Sequence, residues 1–261
     1  MKLATWNINS VRLRLPLLLR FAAEYSPDVI CLQETKCPDE FFPAADLRAA
    51  GYEHQAIWGQ KSYNGVAVLS RMALTDVQTY ERCGKMDCRH LSVRLPSGTT
   101  LHNIYIPAGG YEADPVLNPK FQHKLDFVDE LTGWWPRQPV GAKILVGDLN
   151  IAPLEHDVWD SKKMQNVVSH TPAEISRFTA MQKSIGWIDS AREFTPHDQK
   201  LYSWWSYRAA DWDAANKGRR LDHAWVTPDL KKHLCDVQTP RALRAWPQPS
   251  DHVPVLLEIA S

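Results

Sequence analysis

No apolar stretch of this chain is long enough to cross a membrane. Residues 1–25 carry no secretory leader pattern, because Asn7, Asn9, Arg12 and Arg14 break every apolar run there. A cytoplasmic location without membrane contact is the expectation. Cysteine is scarce. Cys31, Cys37, Cys83, Cys88 and Cys235 form an odd set with no Cys-x-x-Cys pair, so neither a disulfide framework nor a zinc site is indicated. Net charge is missing too. The 30 Lys and Arg balance 30 Asp and Glu, which leaves no footprint for bulk nucleic-acid binding. A polyanionic partner would need a locally basic surface around an acidic site. No Gly-x-x-x-x-Gly-Lys-Ser/Thr loop occurs, which disfavours a nucleoside triphosphatase. Linkers, low-complexity stretches and repeats are also lacking, so residues 1–261 read as one mixed α/β domain.

Tryptophan is abundant, with 11 residues available to pack a core or to stack on flat or sugar-like ligands. Short apolar runs are also plentiful. The central one is Ile144-Leu145-Val146, which suits a buried strand. Gly147 follows, where a tight turn is expected, and then Asp148 and Asn150 arrive at the strand's end. If the chain stays extended, this carboxylate and carboxamide point to one side and can hold a metal or a water. An Asx turn leaving a strand is the equally open alternative.

Further strands are expected over 2–8, 29–32, 65–70, 90–95, 100–106, 221–227 and 255–259, with a hairpin at Pro96-Ser97-Gly98. Helical periodicity covers 13–25, 121–135 and 173–185, and a short helix over 46–50 ends at Gly51. Polar groups recur where the strands stop: Asn7, Glu34, Tyr105, Asp148 with Asn150, Asp222, and Asp251 with His252. Each could be a turn cap or a solvated charge. Together they strain that reading, because buried strands rarely end in so many carboxylates without a cation. Carboxylate and amide oxygens suit a hard cation, Mg²⁺ or Mn²⁺, better than zinc. Tyr, Asn and His can donate to phosphate oxygens, and an Asp can orient water. Hydrolysis of a phosphate ester follows from these types.

In order, Trp6-Asn7-Ile8-Asn9, Leu32-Gln33-Glu34-Thr35-Lys36, Tyr63-Asn64-Gly65-Val66-Ala67, Tyr105-Ile106-Pro107, Gly147-Asp148-Leu149-Asn150-Ile151-Ala152-Pro153, Tyr202-Ser203-Trp204-Trp205, Arg220-Leu221-Asp222 and Ser250-Asp251-His252-Val253-Pro254-Val255 span almost the whole chain. This series resembles the exonuclease III family of apurinic/apyrimidinic endonucleases, within the DNase I-like endonuclease/exonuclease/phosphatase superfamily. The resemblance implies a four-layer α/β sandwich of two packed mixed β-sheets flanked by helices. It implies Mg²⁺-dependent cleavage of the phosphodiester 5′ to an abasic site, with 3′-5′ exonuclease and 3′-phosphatase activities, by a monomer acting on double-stranded DNA with abasic sites or blocked 3′ ends.

By position, the resemblance makes Glu34 the main metal carboxylate, with Asn7 beside it and Asp251 as a further or supporting ligand. Asp148 orients or activates the attacking water, Asn150 helps to place it, and both lie within reach of the metal. Tyr105 and His252 contact phosphate, with Asp222 behind His252. Trp204, Leu221 and Arg219 wall the sugar pocket, and Arg89, Lys120 and Lys217 are candidates for the DNA backbone. Three positions depart from better-known relatives. Ala108 replaces a common Asn or Gln, Arg219 stands where some place an aromatic wall, and Asn9 stands where some have Asp. Two rival readings remain: a same-fold phosphatase or phosphodiesterase for inositol or sphingolipid phosphates, and a non-catalytic nucleic-acid-binding descendant. Retention of Glu34, Asp148, Asp222, Asp251 and His252 weighs against the second.

Overall fold

The computed structural model describes residues 1–260. Two six-stranded sheets pack face to face. The first contains β1 (Lys2–Asn7), β2 (Val29–Gln33), β3 (His54–Trp58), β4 (Val66–Ser70), β11 (Leu234–Gln238) and β12 (Val255–Ile259), in the order β11-β12-β1-β2-β4-β3. The second contains β5 (Thr75–Thr79), β6 (His90–Arg94), β7 (Thr100–Tyr105), β8 (Lys143–Asp148), β9 (Ile188–Asp189) and β10 (Asp222–Val226), in the order β5-β6-β7-β8-β10-β9. Both sheets are mixed. β1 runs parallel to β2 and β7 parallel to β8, whereas the other pairings are antiparallel.

Burial on both faces explains the continuous apolar runs. Leu3, Val29, Cys31, Val66, Val93, Ile144, Val146, Ala224 and Leu257 fill the space between the sheets. The outer face of the first sheet packs against Leu17, Leu18, Phe21 and Ala22 of the helix Leu15–Tyr25. That helix takes Pro16 in its first turn, where no backbone donor is needed, and stops at Ser26 in the left-handed conformation. The outer face of the second sheet packs against Phe127, Val128 and Leu131 of the helix Pro119–Trp134 and Phe178 and Met181 of the helix Pro172–Lys183. The result is the four-layer sandwich, with helices outside both sheets.

Two expectations are corrected. Four strands, β3, β5, β9 and β11, had no place in the sequence pattern. All four are sheet edges, and β5 is exposed along its whole length. Gly147 does not make the turn. It lies inside β8, where an added Cβ would sit 1.8 Å from the Ile104 carbonyl oxygen of β7. The turn falls three residues later, at Asn150, with φ 53°. Asp222 and His252 come together from different sheets, not from neighbouring strands of one sheet. β10 and β12 belong to different sheets and face each other across the sandwich, where Ala224 and Val226 share a core with Val255 and Leu257.

Candidate active site

The two sheets end together, and the polar groups expected at the strand ends gather there. Asp148 closes β8 and Asp222 opens β10, as partners in an antiparallel register. His252, just before β12, projects between them from the other sheet. Its Nδ1 lies 2.7 Å from Asp222 Oδ2 and its Nε2 3.7 Å from Asp148 Oδ2. All three are buried. Burial alone would lower the His252 pKa, but Asp222 and Asp148 overcome it and raise it to about 10. The imidazole is therefore protonated and donates to Asp222. Burial also pushes Asp148 up to about 7, with His252 opposing and Asp222 and Glu34 adding to the rise. These three side chains bring ligand atoms within 4.8 Å of one another. Within this group His252 donates a hydrogen bond to Asp222, and its Nε2 faces Asp148 as a longer charge contact.

Backbone anchors fix the triad. Trp6 Nε1 donates to the His252 carbonyl (3.0 Å), and Ser250 Oγ accepts from the His252 N–H (3.2 Å) while donating to the Asn7 carbonyl (2.7 Å). Asp148 Oδ1 accepts from the Asn150 N–H at 3.0 Å, and Oδ2 accepts from Asn150 Nδ2 (3.1 Å) and Asn7 Nδ2 (2.9 Å). The Asx turn and the polar site are thus the same structure.

Glu34 lies across Asn7 from Asp148. Its Oε1 accepts from Asn7 Nδ2 (2.9 Å) and from the Tyr105 hydroxyl (2.8 Å). Its Oε2 pairs with Lys36 Nζ at 2.7 Å, and the same ammonium donates to Asn9 Oδ1 at 2.6 Å. Burial favours the neutral acid, but Lys36, Asn7 and Tyr105 together hold Glu34 below the usual carboxylate range. Glu34 and Lys36 both have positive φ, near 50°, which costs about 1–2 kcal/mol each. Backbone hydrogen bonds from Ser10 to Glu34 and from Lys36 to Asn64 hold this shape. Strain of this kind gathers at functional sites.

The donor set fits a hard cation. Glu34, Asn7, Asn9 and Asp251 offer oxygens, no thiol lines the cleft among the described residues, and a cation, the Lys36 ammonium, already bridges two of these oxygens. Asn7 has its amide nitrogen turned to the carboxylates and its Oδ1 to the Asn9 N–H. Asp251 accepts from Asn9 Nδ2 (3.0 Å) and Trp204 Nε1 (2.9 Å).

A cleft of about 600 Å³ opens from these acids. Trp204 and Leu221 line it, together with Arg219, whose guanidinium lies 5.0 Å over the Trp204 ring. Lys217 is at the rim over Trp159. Arg89 is turned inward. It pairs with Asp87, donates to the Tyr105 carbonyl and lies over the Tyr105 ring, so it buttresses Tyr105. Lys120 is exposed at the start of its helix and does not line the cleft.

Several contributors escaped the sequence reading. Lys36, in the Leu32–Lys36 motif, reveals its role only in the fold, where it joins Glu34 to Asn9. Arg208 and Tyr111 clasp across the cleft mouth at 3.0 Å. Lys124 and Glu174, both fully buried, pair at 2.5 Å behind Asn150, whose carbonyl accepts from Lys124 Nζ. No motif flags this last pair, because its members lie on different helices.

The endonuclease/exonuclease/phosphatase family model matches residues 4–252. The chain is 30% identical to an exodeoxyribonuclease III of Haemophilus influenzae over 271 aligned positions, covering 99% of each protein. Among solved structures, the 3′ phosphatase NExo from Neisseria, bound to a product DNA hairpin, superposes with TM-score 0.92 at 33% identity over 100% of both chains. An AP endonuclease from Archaeoglobus fulgidus gives 0.93 at 28% identity, again over 100% of both. With the two-sheet sandwich and its shared polar end in place, the chain belongs to the endonuclease/exonuclease/phosphatase family, in its exodeoxyribonuclease III branch.

Proposed function

We propose that this chain hydrolyses the DNA phosphodiester 5′ to an abasic site and also trims and cleans 3′ ends, using Mg²⁺, with Mn²⁺ as a substitute. That it is a hydrolytic nuclease of the DNA-repair type follows from its family and relatives. The observation that carries the chemistry is the triad of Asp148, His252 and Asp222, set beside Asn7, Asn150 and Glu34 where both sheets end.

A water adds to phosphorus and the bond to O3′ breaks. Asp148 is suited to take the water's proton, because burial brings its pKa to about 7, close to working pH. Asn150 and Asn7 hold its oxygens in place. His252, protonated and fixed by Asp222, donates to a phosphoryl oxygen as negative charge grows there. Tyr105 keeps its proton, since burial and the charges of Glu34 and Asp148 raise its pKa, and so remains a donor. Metal dependence goes with this family. Glu34, with Asn7, Asp251 and Asn9 around it, would hold the cation, which supplies Lewis-acid stabilisation of the phosphoryl charge. We read residues 1–261 as one domain, because both sheets contribute to one site. A cytoplasmic monomer is the matching expectation. Among the described residues the five cysteines are free, and no helix is long and apolar enough to cross a membrane.

The test uses three end-labelled duplexes: one with an internal abasic site, one with a recessed 3′-hydroxyl and one with a 3′-phosphate. Each is incubated with Mg²⁺ or with EDTA, beside inositol phosphates. Mg²⁺-dependent processing of the DNAs supports the reading. Turnover of the small phosphates with none of the DNAs overturns it.

A further inference from the structure

Charges of both signs line the cleft: the carboxylates of Glu34, Asp148 and Asp251, and the cations Arg208, Lys217 and Arg219. Arg219 differs from the two rim cations. It is partly buried, and its Nη1 donates to the Val168 carbonyl (3.1 Å) and to Ser169 Oγ (2.9 Å), so the side chain spans the pocket from Trp204 to that segment. Its Nε is fully buried and has no hydrogen-bond partner. No carboxylate lies within ion-pair distance of it among the described residues. The nearby acid, Glu174, is already paired with Lys124 at 2.5 Å and accepts from the Ser169 and Thr171 N–H groups. The nearby carboxylate is thus already taken by Lys124, and the Arg219 charge in the pocket wall has no ion-pair partner among the described residues. Such a charge is costly until an anion meets it, and a guanidinium is shaped for carboxylate or phosphate.

We infer that Arg219 sets substrate choice in this pocket, favouring 3′ ends whose blocking group carries its own negative charge, a terminal phosphate or a carboxylate-bearing phosphate ester, over a neutral flipped sugar. The inference rests on the nuclease reading above and ranks its activities. With a terminal phosphate, the oxygen that would otherwise bear the next sugar is itself charged. With a 3′-phosphoglycolate, the carboxylate extends past the phosphorus. In both, water adds to phosphorus, the bond to O3′ breaks, and O3′ leaves as the 3′-hydroxyl after gaining a proton. An abasic sugar would instead meet a narrowed pocket whose wall offers a charge where the sugar offers none.

The experiment compares wild type, Arg219→Met and Arg219→Lys on three duplexes: a 3′-phosphate, a 3′-phosphoglycolate and an internal tetrahydrofuran abasic analogue. Both kcat and KM are measured with Mg²⁺. Wild type is expected to prefer the charged ends. Arg219→Met should lower kcat/KM on them about ten-fold or more, chiefly through KM, so that the preference for charged ends over the tetrahydrofuran duplex is lost. Arg219→Lys, which keeps the charge but not the fork, should fall between. An equal loss on all three duplexes, or a loss largest on the abasic duplex, overturns the inference. If Arg219→Met does not fold, Arg219→Lys decides by the same ratio. A wild type that processes none of the three refutes the nuclease reading itself, which separates the two failures.

Discussion

Replacing Asp222 by Asn keeps the shape of the side chain and removes its charge. In the wild type, Asp222 Oδ2 sits 2.7 Å from His252 Nδ1 in a buried site, and this charge is the largest influence raising the imidazole pKa against burial. Two unit charges about 4 Å apart at an effective dielectric near 20 interact by about 4 kcal/mol, or about three pKa units. Asp222→Asn should therefore bring His252 from about 10 to roughly 7. At pH 8 only about one imidazole in ten would then carry the proton it must donate, so turnover should fall about ten-fold there and recover toward pH 6. Asp222 Oδ1 is buried without a partner, so the amide nitrogen placed there would be orphaned at a cost of about 1–3 kcal/mol. A melting curve must show that the variant is folded. The assay is a ¹⁵N-imidazole NMR titration of His252 in EDTA, beside single-turnover hydrolysis from pH 6 to 10. The double variant with His252→Asn should be little worse than His252→Asn alone, because the pair acts as a unit. An unmoved His252 titration with fully additive losses would refute the reasoning.

Lys124→Met should leave Glu174 as an unpaired buried charge and cost about 3–5 kcal/mol in urea unfolding. A loss below about 1 kcal/mol would mean the pair adds no such stability. His252, raised from 6.5 to about 10 in the folded state, contributes stability that is complete below pH 6.5 and lost as pH climbs through 10. Unfolding free energy in EDTA should thus decline between pH 7 and 10, and decline less in His252→Asn. Lys217 is exposed at the rim while Arg219 is turned inward, so Lys217→Ala should flatten the salt dependence of DNA binding by roughly 0.9 in log K against log salt. An unchanged slope would make Lys217 a solvated charge only.

Strands buried on both faces were legible because burial writes itself as continuous apolar residues, as in Ile144-Leu145-Val146. Edge strands were not. Thr75–Thr79 is exposed throughout and His54–Trp58 buries only Ala56, so neither shows a continuous apolar pattern. The site was legible as a set of strand-end side chains, since Asn7, Glu34, Tyr105, Asp148, Asn150, Asp222, Asp251 and His252 do converge. Their joining was not, because it depends on how two sheets stack and not on distance along the chain. The same reason hid Lys124 and Glu174, 50 positions apart on two helices. Gly147 was read as a turn because sequence does not reveal that a neighbouring carbonyl fills the space of its Cβ.

Glu34 is assigned to the metal and Asp148 to the attacking water, and a metal titration of single-turnover hydrolysis on the 3′-phosphate duplex tests that division directly. Glu34→Gln should shift the Mg²⁺ dependence to higher concentration and recover much of its rate at saturation or with Mn²⁺. Asp148→Asn should bind metal and DNA yet stay slow at every metal concentration, by about 10²-fold or more. Equal rescue of both variants by high metal would contradict the assignment.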